Sequence, residues 1–414
     1  MSGRPGRRVV VTGMAGVCAL GSGWQEVGRG LRCGRSGVSV IPAFALVEGL
    51  RTHLGAPVAD AALALDAPRK KTRGLGRVAR LAAVATRDAL LAAGLAESPV
   101  LAGGRAGVAC GSTTGSPPDM VEFAEAFGVR RSAKGVVPIQ VMRLMSHTCA
   151  AGVAQLFGIR GRVLAPCSAC TSGSQAVGAG YEQVRFGQQD VMVCGGAEEL
   201  HPIAAAIFDL LQATSTRNDA PGTTPRPFDR ARDGLVVGEG AAMLVLESLE
   251  HARARDAEIL GEVVGYGTNC DGSHPTAPDP EGMAGALRAA LADAQLGAGE
   301  VDYVNAHATA TELGDVAESQ ATAAVLGDGV PVSSLKGHLG HTLGACGALE
   351  AWATLEMMRE GWLAPTLHLT DPDPRCAPLD HVRGAPREAR VDVAMSNNFA
   401  FGGVNTSLIL RRFA

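Results

Sequence analysis

Hydrophobic positions along this chain gather in short unbroken runs that end at glycines, and the runs alternate with longer stretches in which apolar residues recur every three or four positions. Runs of the first kind suit strands buried on both faces, and stretches of the second kind suit helices packed against them. Arg8-Val9-Val10-Val11-Thr12-Gly13 reads as a buried strand that enters a glycine turn and opens a central sheet. Residues 72–94 read as a helix stopped by Gly94, and 105–111 as the next strand.

The alternation continues through the middle of the chain. Val163 and Leu164 lead through Pro166 to Cys170, a helix of small residues follows from Ser172 to Phe186, and 191–196 is again a strand. Residues 240–257 pass from strand to amphipathic helix. A second series then begins with a strand-like run at 259–267 and a helix near 282–295. A strand at 301–308, a helix near 312–325, a strand at 330–334 and a helix from Gly340 onward come next. A strand at 391–398, a glycine turn and a terminal strand from Val404 to Leu410 close it. No short-period repeat is present. The pattern predicts two α/β halves, 1–250 and 251–414.

Composition narrows the core. The chain is 46% hydrophobic with 54 glycines but only 4% aromatic residues, so helices and strands must meet through Ala, Val, Leu, Ile and closely approaching backbone. Thirty-seven Lys and Arg against 41 Asp and Glu leave a formal charge of -4, which argues against a nucleic-acid binder held by phosphate neutralisation. The ten cysteines are scattered without the spacing of a disulfide framework, so free thiols in a reducing cytoplasm are expected. Met1–Arg8 is basic, and the apolar run behind it is too short and too glycine-broken to span a membrane.

Cys170, in APCSACTSGSQAVGAG, stands between a predicted strand and a helix whose first turns are small residues. Orphan N–H groups at a helix entrance favour a thiolate there, and small side chains admit a substrate. The same sequence also suits an inert buried thiol. Cys167 competes but precedes the entrance by three positions. Together the two form Cys-x-x-Cys with no second pair to complete a zinc site, so no metal is expected.

His307 ends a hydrophobic strand, and His341 follows Lys336 and His338 at a second loop-to-helix entrance. Alone, each histidine reads as readily as a structural residue. With Cys170 they offer a nucleophile and two imidazoles for thioester chemistry, neutral Nε2–H groups stabilising an enolate oxygen. Lys336 is placed to tune His307, and Glu318, eleven residues past His307, to pair with Lys336. Thr309 and Thr311 are either hydroxyl contacts for an amide-rich carrier arm or helix caps. Phe401, with Gly402 and Gly403, is either a movable aromatic door or the cover of an ordinary turn.

From VVVTG to FGGVNTSLIL the whole chain resembles the elongating β-ketoacyl-acyl-carrier-protein synthases and their type II polyketide and polyene ketosynthase relatives. The strings that carry the resemblance are SACTSG, VNAHATAT, GDVAES, SSLKGHLGHTLGACGA and NNFAFGGVN, in that order. It implies a thiolase-like five-layer αβαβα fold of two related halves. It also implies acylation of Cys170, and decarboxylation of a malonyl thioester before carbon–carbon bond formation.

By the same resemblance His307 and His341 are the catalytic imidazoles, with Lys336 and Glu318 as support, and the N–H groups of Cys170 and Phe401 are the oxyanion hole. Thr309 and Thr311 contact phosphopantetheine, Phe401 is the gate, and Thr114 limits the acyl pocket. No directly bound cofactor is implied, because substrates ride on the phosphopantetheine arm of acyl-carrier protein. The implied partners are that carrier and a second subunit, identical or a homologous chain-length-controlling protein.

Cysteine at 170 argues against this chain being the non-catalytic partner. Ala308, Leu339 and Ala400 depart from the Gly, Thr and Gly more common in elongating enzymes, which favours a specialised polyketide or polyene pathway over housekeeping fatty-acid elongation. An acidic carrier is expected to dock on Arg69, Lys70, Lys71, Arg73 and Arg77, or on Arg130, Arg131 and Lys134.

Overall fold

The computed structural model describes residues 6–413, so the first five residues of the basic stretch lie outside the described chain. The first series comprises β1 (Val9–Cys18), α1 (Arg77–Ala92), β2 (Ala106–Gly111), α2 (Thr148–Phe157), β3 (Val163–Leu164), α3 (Ser172–Arg185), β4 (Val191–Glu198) and β5 (Gly240–Ser248). The second repeats the order with β6 (Gly261–Cys270), α4 (Pro280–Ala294), β7 (Tyr303–Asn305), α5 (Glu312–Leu326), β8 (Pro331–Ser333), α6 (Cys346–Glu360), β9 (Val393–Ala400) and β10 (Val404–Arg411).

Pairing makes the repetition explicit. The first half runs β3-β2-β4-β5-β1 and the second β8-β7-β9-β10-β6, so equivalent strands occupy equivalent places. In each half the two inner pairs that join crossover-connected strands are parallel, and the last hairpin pairs antiparallel. The halves join where Val9–Val11 of β1 pairs antiparallel with Gly261–Val263 of β6.

Helices α1 and α2 cover the outer face of the first half, and α4 and α5 that of the second. Between the sheets lie α3 and α6. This is the five-layer αβαβα arrangement of a thiolase-like fold. Its central layer explains the composition: α6 is buried from Cys346 through Met358 on every face, so it carries little amphipathic pattern. Close backbone approach does the packing, as where a Cβ on Gly173 of α3 would stand 2.7 Å from the carbonyl oxygen of Gly344.

Three boundaries differ from the sequence expectation, each for a local reason. β1 does not turn at Gly13. A bulge at Thr12 lets the strand run on through Gly13, where a Cβ would meet the Ala89 carbonyl of α1 at 2.3 Å. The helix expected from residue 72 is one turn at Arg69–Thr72, and α1 begins only after the Gly74 and Gly76 break. The helix expected from Gly340 begins at Cys346, because Gly340 (φ 67°) and Leu343 (φ 48°) are left-handed. Among the described residues no helix is long and apolar enough to cross a membrane.

Candidate active site

The duplicated topology brings the chemistry together. Cys170 precedes α3 in the first half and His341 precedes α6 in the second, so the entrances of the two central helices converge, and His307 follows β7 beside them. The Nε2 of His341 lies 2.9 Å from Cys170 Sγ, and the His307 and His341 rings stand edge to face with centroids 5.2 Å apart. Ligand-capable atoms of all three residues fall within 4.8 Å of one another. They floor a cavity of about 430 Å³ that is also lined by Phe208, Thr309, Thr311, Phe399 and Phe401.

Burial sets the protonation states. Cys170 is only 6% exposed, and loss of water pushes its thiol up to about 12 against the opposing Lys336 charge. Cys170 is therefore a thiol in contact with His341 Nε2, not the free thiolate that the helix-entrance argument favours. Burial likewise holds His307 and His341 well below 6.5, with the Lys336 ammonium adding to the effect, so both imidazoles are neutral.

Lys336 does not pair with Glu318. Its Nζ is hydrogen-bonded to Glu350 on α6, and both side chains are 2% exposed. Burial opposes the ammonium, but Glu350 beside it holds it above its ordinary value. Glu318 instead accepts the backbone N–H groups of His307 (2.7 Å) and Ala308 (2.5 Å), which fastens the His307 loop to α5. Burial raises Glu318 to about 8 despite these two donors. The sequence expectation named the right lysine and the wrong carboxylate, because the loop after β8 turns Lys336 inward toward α6.

Three residues of the site escaped the sequence reading. Glu350 is one; the signal was a carboxylate at mid-length in an otherwise apolar helix. Asn398 on β9 is the second, its Nδ2 lying 2.7 Å from Glu350 Oε2 and 3.4 Å from His307 Nδ1. Cys346 is the third, its thiol donating to the Cys170 carbonyl at 3.2 Å. The other candidates fall as follows. Thr311 holds the N-cap position of α5 but makes no capping bond; its hydroxyl meets that of Thr309 at 3.0 Å, and both line the cavity. Phe401 is 37% exposed at the cavity mouth, its ring 5.5 Å from that of Phe208.

Behind it Gly402 donates to the Pro275 carbonyl, and Gly402 and Gly403 are both left-handed, at φ 86° and 71°. Thr114 follows β2, half-buried, and is not among the residues lining the cavity at Cys170. Cys167 is exposed, its thiol on the Thr113 carbonyl. His338 is bracketed by the carbonyls of Arg35 and Pro365, a structural role. Arg77 leaves the docking set, because it is bound to buried Glu239 and to Asp60.

Residues 6–252 match the model of the β-ketoacyl synthase N-terminal domain, and 260–370 that of the β-ketoacyl synthase C-terminal domain. The 3-oxoacyl-(acyl-carrier-protein) synthase 1 of Haemophilus influenzae is 36% identical over 410 residues, covering 98% of this chain and 99% of that one. A β-ketoacyl synthase from Burkholderia phymatum superposes with a TM-score of 0.96 at 53% identity, over 99% of this chain and 100% of the other. The ishigamide ketosynthase/chain length factor superposes with a TM-score of 0.90 at 34% identity, over the same shares. With both domain models matched and a full-length relative 36% identical, this chain belongs to the β-ketoacyl synthase family.

Proposed function

We propose that this enzyme extends an acyl chain held as a thioester on Cys170, using malonyl-acyl-carrier protein as donor, in a specialised type II polyketide or polyene pathway. The observation that carries the reaction is the Cys170 Sγ to His341 Nε2 contact of 2.9 Å beside the His307 ring, on the floor of the cavity. In loading, sulfur attacks the carrier thioester, and the thiol proton leaves with the departing carrier thiol. The acyl-enzyme then faces two neutral imidazoles.

Malonyl carrier loses carbon dioxide, and the enolate oxygen that forms is held by imidazole N–H groups. The enolate carbon attacks the Cys170 thioester. The tetrahedral oxygen is received by the N–H groups of Cys170 and Phe401, and collapse expels the cysteine sulfur, which regains a proton. Lys336 and Glu350 form a closed ion pair behind the histidines, and Glu318 holds the His307 loop. Thr309 and Thr311 meet the phosphopantetheine arm, which supplies the only non-protein group in the reaction.

The specialised assignment is supported by Ala308, Leu339 and Ala400 at the site and by likeness to a ketosynthase paired with a chain length factor. A homologous subunit is the proposed partner, and Thr114 the proposed limit on chain length. The test assays condensation on saturated, β-keto and unsaturated acyl carriers, with the protein alone and with its homologous partner. Partner-dependent extension of β-keto or unsaturated chains is expected, with H307A and H341A losing about 10²–10⁴-fold in decarboxylation while loading persists. Efficient elongation of saturated chains alone by the homodimer contradicts the pathway, and undiminished decarboxylation in both variants contradicts the mechanism.

A further inference from the structure

Asn398 is fully buried on β9, and its amide orientation is determined by Glu350. Its Nδ2 faces Glu350 Oε2 at 2.7 Å, and that carboxylate, already ion-paired with Lys336, requires an N–H there. The other end of the amide lies against the backbone of α6, where a Cβ on Gly347 would stand 2.5 Å from Asn398 Oδ1. Turning the amide over would set its oxygen against the Glu350 carboxylate. The nitrogen carries two hydrogens. One goes to Glu350, and the second lies toward His307 Nδ1, 3.4 Å away, with Cys346 Sγ the farther acceptor at 3.6 Å.

A donor facing Nδ1 makes that nitrogen the acceptor, so the single proton of a neutral imidazole sits on Nε2. We infer that Asn398 is a positioning residue that holds His307 in its Nε2–H tautomer, completing a chain from Lys336 through Glu350 and Asn398 to His307. The inference rests on the condensation reading above, in which His307 must donate to the enolate oxygen. An imidazole in the other tautomer would present a lone pair to that oxygen and repel it.

N398D tests this with almost no change of shape. An aspartic acid has one hydrogen where the amide nitrogen has two, and the charged Glu350 takes it, leaving a lone pair toward His307 Nδ1. The experiment records ring-nitrogen NMR of His307 in ¹⁵N-histidine-labelled wild type, N398D and N398A, alongside Cys170 loading and malonyl-carrier decarboxylation. Wild type is expected to carry its ring proton on Nε2 alone and N398D on Nδ1.

N398D decarboxylation should be about 10²–10³-fold slower, as for loss of one oxyanion donor, with loading little changed, and N398A should lie between. A purely structural role would instead impair loading and decarboxylation together. An Nδ1-protonated His307 in wild type overturns the inference, as does a folded N398D that keeps both the Nε2–H tautomer and its rate. If neither variant folds, the wild-type tautomer alone decides. A wild type that neither loads nor decarboxylates contradicts the condensation reading, and its ring spectrum still reports on Asn398.

Discussion

His307 and His341 sit where burial and a nearby ammonium both disfavour a second positive charge, and this decides how the site responds to pH. Each imidazole is held well below its ordinary 6.5, with burial the larger cause. A group whose folded value is lowered stays neutral until the pH falls past that lowered value. The imidazole limb of malonyl decarboxylation is therefore expected below pH 6.5, separate from any limb near 8 that Glu318 contributes. A limb centred at 6.5 that persists in E318Q would show that an imidazole titrates near its solution value. The thiol behaves oppositely: burial lifts Cys170 to about 12, so it stays protonated across the same pH range.

At the scale of elements, the nucleophile and its imidazole depend on how closely α3 and α6 approach. Gly347 opens the first turn of α6, and a Cβ there would stand 2.5 Å from Asn398 Oδ1 and 2.7 Å from Ser174 Cβ on α3. Alanine normally stabilises a helix by up to about 1 kcal/mol relative to glycine. Overpacking a closed core costs about 1–3 kcal/mol, so G347A should be net destabilising in denaturant titrations and should slow decarboxylation by displacing Asn398. An equally stable, fully active G347A would mean that the helices have slack. Much at this scale was legible beforehand, because most strands are unbroken apolar runs and most of the helices end at or beside a glycine.

What could not be read locally was the identity of long-range partners. Glu318 and Glu350 both lie within a helix's length of Lys336 in sequence, and only the inward turn after β8 selects Glu350. Asn398 read only as the last residue of a strand, because its partners sit on two other elements. Gly13 resembled a strand end because a bulge is invisible without its neighbour.

Across the whole molecule, the repeated topology places one reactive residue at the entrance of each central helix, so neither half holds the site alone. In the proposed reaction the surface around it receives an acidic carrier. Arg69, Lys70, Lys71 and Arg73 are exposed, as are Arg130, Arg131 and Lys134, whereas Arg77 is committed to Glu239. Opposite charge steers encounter and is screened within about 10 Å at 0.1 M salt. Charge reversal at Lys70 and Lys71, or at Arg130 and Arg131, is expected to raise the KM for carrier protein at low salt and to matter less at high salt. Unchanged kinetics in both variants would move the docking face elsewhere.

Cys170 is the residue on which the proposed acyl transfer turns. The most direct measurement is peptide mass spectrometry after exposure to an acyl-carrier-protein thioester. The expected result is one acyl group on the peptide carrying Cys170, absent in C170A and retained in C167A. Acyl label on Cys167 or Cys346 with Cys170 unmodified, or labelling that survives in C170A, would contradict the account.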